Sequence, residues 1–135
     1  MKKITLFLLI IATLTFVGCS AKNNEPADLR GNWIESEHNE KDTYMIATID
    51  DNTIEVNWCM DNGESTAIYW AGSFIAPTTD GDYSWDSVND TDKTSFSLLA
   101  SGAETKSFSY ANGEILFEVT ALGITKTVHL VRNGD

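Results

Sequence analysis

The amino-acid sequence predicts an all-β domain, and two features carry that prediction. Turn dipeptides such as Asn62-Gly63 and Asn112-Gly113 recur mostly every 9–12 residues after the N-terminal part of the chain, with one gap of 18. Between them, apolar and polar residues alternate, as in the segment from Ile54 to Trp58. A period of two over many short segments indicates sheet with one buried face. We expect a small antiparallel up-and-down β-barrel of about eight strands, with an open barrel or a β-sandwich as the alternatives.

The strand-like segments can be taken in chain order. Nine are found, at about residues 31–36, 43–50, 53–60, 65–76, 82–88, 94–100, 104–111, 114–121 and 124–132. An up-and-down barrel closes with antiparallel neighbours only when the number of strands is even. We therefore expect one of these segments to be irregular. No window has a helical period, and no motif recurs from one segment to the next.

Length and charge restrict the class of protein. The chain has 135 residues, is 42% hydrophobic, and carries a formal net charge of −11. This apolar content predicts a packed core, and the length suits one ordinary domain. Nucleic-acid binding requires clustered Lys and Arg. The excess of acidic over basic residues therefore argues against a nucleic-acid partner.

The first residues have the composition of a secretory signal. Lys2 and Lys3 precede an apolar run over residues 4–17, which ends at Gly18-Cys19-Ser20. As a helix the run would be about 21 Å long, shorter than the ~30 Å hydrocarbon core of a bilayer. Cleavage is therefore expected rather than a membrane span.

The end of this run, Phe16-Val17-Gly18-Cys19, resembles a bacterial lipobox, although Phe16 replaces the more usual Leu. The resemblance implies that residues 1–18 are a lipoprotein signal peptide. It also implies that Cys19 takes a diacylglycerol and that the new N-terminus is acylated, for example with palmitate. The membrane would be the partner of this lipid. The expected location is the extracytoplasmic face of the cell membrane, or the outer membrane if the host has two, because Ser20 is not acidic.

The mature chain then divides into two parts. Residues 19–27 contain no large apolar side chain and read as a lipidated tether, which leads to a β-barrel domain at 28–135. Cys59 has no partner for a disulfide if Cys19 is lipidated, so we expect it to be a structural thiol at a strand end.

Residues at the two ends of the domain resemble the lipocalin and wider calycin pattern. Gly31-Asn32-Trp33 opens the first predicted strand and Arg132 closes the last. The resemblance implies a lipocalin-like barrel whose end is closed by Gly31, Trp33 and Arg132, with the guanidinium over the indole. A third family signature has no counterpart late in the chain, since Thr79-Asp80-Gly81-Asp82-Tyr83 comes too early and reads as a turn.

Few residues suggest catalysis or metal binding. The acidic residues fall at turns, where Asp and Asn bond their own backbone. His38 and His129 are not spaced as a metal pair, and no nucleophile, phosphate-binding or zinc motif occurs. We expect no enzyme, no cofactor and no metal, with a Ca²⁺ site as the minority alternative. Its ligands would be either Asp80 and Asp82 or Asp90 and Asp92.

Tyr69 and Trp70 are the candidate binding surface. Adjacent residues of a regular strand point to opposite faces, so one of this pair is expected to face outward. Either neighbouring structure covers both faces of this strand, or the outward aromatic side chain belongs to a surface that binds a partner or ligand.

Three functions follow, in order of preference. The first is an interaction module, anchored by lipid outside the cytoplasmic membrane, that binds an unknown protein or small ligand. The second is a structural or prophage-type surface-exclusion lipoprotein without a small-molecule ligand. A hydrolase that uses turn carboxylates is the third.

Overall fold

The computed structural model describes residues 24–39 and 42–134, and these form a closed antiparallel barrel of eight strands. Each strand pairs with the next, and the last returns to the first. The strands are β1 (Gly31–Glu35), β2 (Tyr44–Ile49), β3 (Thr53–Met60), β4 (Ser65–Ser73), β5 (Tyr83–Asn89), β6 (Thr105–Ala111), β7 (Glu114–Ala121) and β8 (Ile124–Arg132). The predicted all-β class and eight-stranded barrel are confirmed. The signal segment and Cys19 lie outside the described residues.

The segment predicted as a strand at residues 94–100 is the irregular one. It follows the short helix α1 (Thr91–Thr94), whose first turn is capped by the Asp90 side chain. The chain from Asp90 to Ser101 then runs along the edge of β4, where Asp90 and Ser101 donate backbone N–H groups to Ala71 and Tyr69 at 2.8 Å. This segment therefore covers an edge that β5 leaves open, without being a strand.

The reason for that open edge is the short ladder between β4 and β5. Only Gly72 with Asn89 and Ser73 with Val88 are paired there. Trp70 lies at this junction with no exposed surface, and its indole N–H donates to Ser87 Oγ at 2.9 Å. The junction thus depends on a buried Trp–Ser hydrogen bond and on the close approach of Gly72 to β5.

A β-bulge between β3 and β4 changes the direction of one side chain. Val56 pairs with Trp70 but Asn57 pairs with Ile68, so Tyr69 is an extra residue in β4. Tyr69 and Trp70 both turn inward, with 6% and 0% of their surface exposed. The prediction that one of them faces solvent is wrong, because the bulge interrupts the alternation on which it rested.

Stacked aromatic rings fill the interior of the barrel. The ring centroids of Trp85 and Phe108 are 5.4 Å apart, and those of Phe108 and Phe117 are 5.2 Å apart. Phe74 packs on Trp85 from the β4–β5 connection at 5.2 Å. These contacts join β5, β6 and β7 through side chains as well as through backbone hydrogen bonds.

The structure places Gly31, Trp33 and Arg132 at the barrel end where β1 begins and β8 finishes. The Arg132 guanidinium lies 4.2 Å from the centroid of the buried Trp33 ring and donates to the carbonyls of Asp28 and Arg30. The Trp33 indole N–H donates to Leu29 O at 2.9 Å. The segment before β1 is therefore held against this end of the barrel by a cation–π contact and main-chain hydrogen bonds.

Gly72→Ala is expected to destabilise the barrel by about 1–3 kcal/mol, as overpacking does in a tight core. A Cβ at this position would lie 2.5 Å from Val88 O and even closer to Ser87 Oγ, and a backbone oxygen cannot turn away as the end of a flexible side chain can. Urea unfolding measures the change in free energy.

The matched control is Gly102→Ala, since a Cβ there meets nothing within 4 Å. That variant should stay within about 0.5 kcal/mol of the wild type. Equal unfolding midpoints for the two variants would contradict the proposed tight contact at the β4–β5 junction.

Candidate ligand-binding cleft

A cleft of about 840 Å³ opens in the barrel wall where β6 and β7 separate. The two strands pair only at Ser109 with Leu116, Tyr110 with Ile115 and Ala111 with Glu114. The start of β6 is not paired with the end of β7. The cleft therefore lies toward the barrel end opposite Gly31, Trp33 and Arg132. We call this feature the β6–β7 cleft.

The walls of the β6–β7 cleft are rich in hydroxyl groups. Most of them come from the outer face of β5, β6, β7 and β8, where small polar residues alternate with the buried aromatic ones. The serine and threonine residues that line it are Ser84, Ser101, Thr105, Ser107, Ser109, Thr120 and Thr127. Two acids, Asp86 and Glu118, also line the cleft, and Asp86 accepts a hydrogen bond from Ser107 Oγ at 2.5 Å. The walls can therefore donate and accept several hydrogen bonds.

The floor of the cleft is formed by side chains of the aromatic core. Tyr69, Trp85, Phe108 and Phe117 line it from below. Trp85 Nε1 is buried and has no hydrogen-bond partner among the described residues. An unsatisfied buried N–H costs about 1–3 kcal/mol, so an acceptor that reached this group would stabilise the floor.

Lys106 places a positive charge between the walls and the floor. On β6 it shares the inward phase of Phe108, and its Nζ lies 5.0 Å from the Tyr69 ring centroid and 6.0 Å from that of Trp70. Nζ donates to Glu118 O on β7 at 3.0 Å. This bond crosses the gap where the backbone ladder has ended, so Lys106 links the two strands through a side chain.

The ammonium of Lys106 lacks a counter-ion in the described part of the chain. No carboxylate oxygen there lies within 4.0 Å of its Nζ, whereas Lys93 pairs with Glu55 at 3.2 Å and Lys126 pairs with Glu35. Burial lowers the pKa of Lys106, and the negative charge of Glu118 opposes that shift in part. The cleft thus holds a half-buried cation that is solvated by aromatic rings and one carbonyl.

Sequence reasoning missed Lys106, although a signal for it was present. One face of this predicted strand carries Lys106, Phe108 and Tyr110, and a lysine on the apolar face of a strand is unusual. Of the predicted surface pair, Tyr69 lies in the cleft floor and Trp70 lies in the core beside it.

The other candidate residues lie away from the β6–β7 cleft. His38 contacts Glu35 O at 2.6 Å, and His129 lies 3.0 Å from Glu114. Cys59 is a buried free thiol on β3. Within residues 24–39 and 42–134, no group of three or more His, Cys, Asp or Glu side chains is placed to hold a metal ion. The acids at Asp80, Asp82, Asp90 and Asp92 therefore form no such group.

Comparison with family models, curated proteins and solved structures finds no match for this chain. The functional argument consequently rests on the barrel and on the chemistry of the cleft.

Tyr69→Phe is expected to change how stability depends on alkaline pH. Burial raises the pKa of Tyr69 to about 12, above the value near 10 that a tyrosine has in an unfolded chain. Between these values the folded state holds a proton that the unfolded state has released, so stability should fall as pH rises from about 10 to 12. Urea midpoints measured across this window should fall less steeply for Tyr69→Phe than for the wild type.

Tyr110→Phe is the control, because it removes a phenolic hydroxyl elsewhere in the barrel and leaves Tyr69 intact. Its midpoints should follow the wild-type slope. The same slope in all three proteins would show that Tyr69 is not the group responsible.

Proposed function

We propose that this chain is an extracytoplasmic lipoprotein, anchored through Cys19, whose barrel is a binding module with the β6–β7 cleft as its ligand site. The observation that carries the proposal is the unpaired cation of Lys106 in a cleft with hydroxyl walls and an aromatic floor. The separation of the two strands leaves a half-buried cation without a counter-ion among the described residues, which is unfavourable for a purely structural barrel. A ligand that fills the gap would offset that cost.

The position of the cleft suits a domain tethered at its N-terminus. The chain enters β1 at the end closed by Trp33 and Arg132, and the cleft lies toward the other end. An extended tether over residues 20–27 would reach about 26–29 Å. A net charge of −11 would also keep the barrel away from anionic headgroups. The cleft would therefore face away from the membrane surface.

No helix in the described residues is long and apolar enough to span a membrane.

A protein partner is the second candidate, and one observation favours it. Phe96 and Leu98 on the β5–β6 connection are almost wholly exposed, as is Leu122 in the β7–β8 turn. Both connections belong to the barrel end toward which the cleft lies. Exposed large apolar residues in neighbouring loops are typical of protein contacts. A structural or surface-exclusion role would use this end of the barrel without a small ligand.

A hydrolase ranks last among the proposed functions. The residues that line the β6–β7 cleft include no histidine and no cysteine. The Ser107 hydroxyl donates to Asp86, but no histidine among the lining residues joins this pair to complete a nucleophile–base arrangement.

Cys19→Ser should release the protein from membranes into the soluble extracytoplasmic fraction. The thiol is the atom that a lipid-transferring enzyme would alkylate, and a serine hydroxyl is a much weaker nucleophile. Fractionation of host cells, followed by immunoblotting, measures the change. Cys59→Ser is the matched control and should stay membrane-bound. If Cys19→Ser also stays bound, the proposed lipid anchor is wrong.

Native mass spectrometry of the full chain, extracted gently from its own host, tests the binding module. A discrete added mass that is lost on denaturation would support a small ligand, and its formula would give the ligand class. A clean lipidated mass, with a partner recovered by cross-linking from the Phe96 and Leu98 loop, would favour the protein partner instead.

A further inference from the structure

We propose that the β6–β7 cleft binds a small hydroxylated monocarboxylate of the sugar-acid type, with its carboxylate on Lys106. This inference rests on the proposed binding function and adds the chemical class of the ligand. It combines three features of one cleft: a cation without a counter-ion, walls of hydroxyl groups, and a floor of aromatic rings.

The anionic part of the ligand follows from Lys106. An ammonium has three N–H donors, and the described residues supply one acceptor, Glu118 O at 3.0 Å. A carboxylate oxygen is the acceptor that best stabilises a partly desolvated ammonium, because the bond is charge-assisted. Trp85 also lines the cleft, and its buried indole N–H has no partner among the described residues.

The limit to a single negative charge follows from the acids in the walls. Asp86 and Glu118 line the same cleft as Lys106, which is its only basic residue among those described. A phosphate or a dicarboxylate would bring a second negative charge beside two carboxylates, where like charges repel. A monocarboxylate neutralises the cation without that repulsion.

The hydroxylated body of the ligand follows from the walls and the floor. Seven serine and threonine residues line the cleft, and they match a ligand that both donates and accepts hydrogen bonds around its edge. Beneath them lie Tyr69 and Phe117, whose ring centroids are 6.2 Å apart in a stacked arrangement. A pyranose ring has polar edges and an apolar C–H face, so its hydroxyl groups match the polar walls and its C–H face meets the small exposed part of the floor rings.

The test is isothermal titration of the full chain, in detergent, with three matched small molecules. Glucuronate carries both the carboxylate and the hydroxyl groups, glucose lacks the carboxylate, and benzoate lacks the hydroxyl groups. We expect glucuronate to bind about tenfold or more tightly than either of the others, the usual effect of one charge-assisted hydrogen bond. Equal binding of glucose, tighter binding of benzoate, or no binding of glucuronate would overturn the proposal.

Lys106→Met keeps most of the apolar stem of the side chain and removes its charge. We expect it to weaken glucuronate binding about tenfold or more and to leave the weak binding of glucose unchanged. Lys93→Met is the matched control, because Lys93 lies at a separate depression beside β3, β4 and β5. Equal loss in both variants would mean that the effect is one of net charge, and the site assignment would be wrong.

Lys106 also links β6 to β7, so the Met variant needs a check on folding. Lys106→Arg restores the positive charge at the same position, and we expect it to recover part of the glucuronate affinity. If Lys106→Met has the near-ultraviolet circular dichroism of the wild type and still binds glucuronate normally, the carboxylate does not sit on Lys106.

The same chemistry can come from a free sugar acid or from a uronate unit in a polysaccharide. Titration with a short neutral-sugar oligomer that carries a single glucuronate unit separates these sources, because it keeps one negative charge per molecule. Tighter binding of the oligomer than of the monomer would indicate a polymer, since the cleft is open along the barrel wall, and equal binding would indicate the free acid.

Failure of this inference can be distinguished from failure of the proposed function. A neutral or apolar added mass in the native spectrum, together with no glucuronate binding, would overturn the sugar-acid class and leave the binding module standing. An absent added mass, no binding of any of the three probes and no captured partner would overturn both.

Discussion

The short ladder between β4 and β5 is the constraint on which the arrangement of the neighbouring segments of the barrel depends. Only two residue pairs join these strands, and beside them the buried Trp70 indole bonds Ser87 while Gly72 leaves no space for a side chain against Val88 O. The remaining edge of β4 needs partners for its carbonyls, since buried unpaired backbone groups are costly. The chain between β5 and β6 supplies them through the Ser101 backbone and the Ser97 side chain.

The cleft and the bulge belong to one arrangement around Lys106. The extra residue in β4 turns Tyr69 inward, under the ammonium of Lys106. The gap between β6 and β7 is crossed by the bond from this ammonium to Glu118 O. The lysine therefore replaces missing ladder bonds and at the same time brings a charge into an aromatic environment. A side chain that holds a gap with a single bond keeps donors free for a ligand, and this double role connects the fold to the proposed site.

The two ends of the barrel differ in chemistry. One end is closed by Arg132 over Trp33 and by hydrogen bonds to the segment before β1. The other end carries exposed apolar side chains in the β5–β6 and β7–β8 connections. A domain tethered through its N-terminus would present the second end to its surroundings. This difference between the two ends is consistent with either a small ligand in the cleft or a protein partner at the loops.

The sequence by itself determined the all-β class and the boundaries of the eight strands to within a few residues. These follow from local rules, namely alternation with a period of two and turn residues at positive φ such as Asn112 and Gly113. Tertiary structure alone decided that residues 94–100 are irregular, because the unpaired edge of β4 belongs to a distant part of the chain. It also decided that Tyr69 faces inward, since a bulge depends on the register with β3. Tertiary structure also decided the environment of Lys106. Alternation along β6 predicts that its side chain points inward, but only the separation of β6 from β7 places that side chain in a cleft.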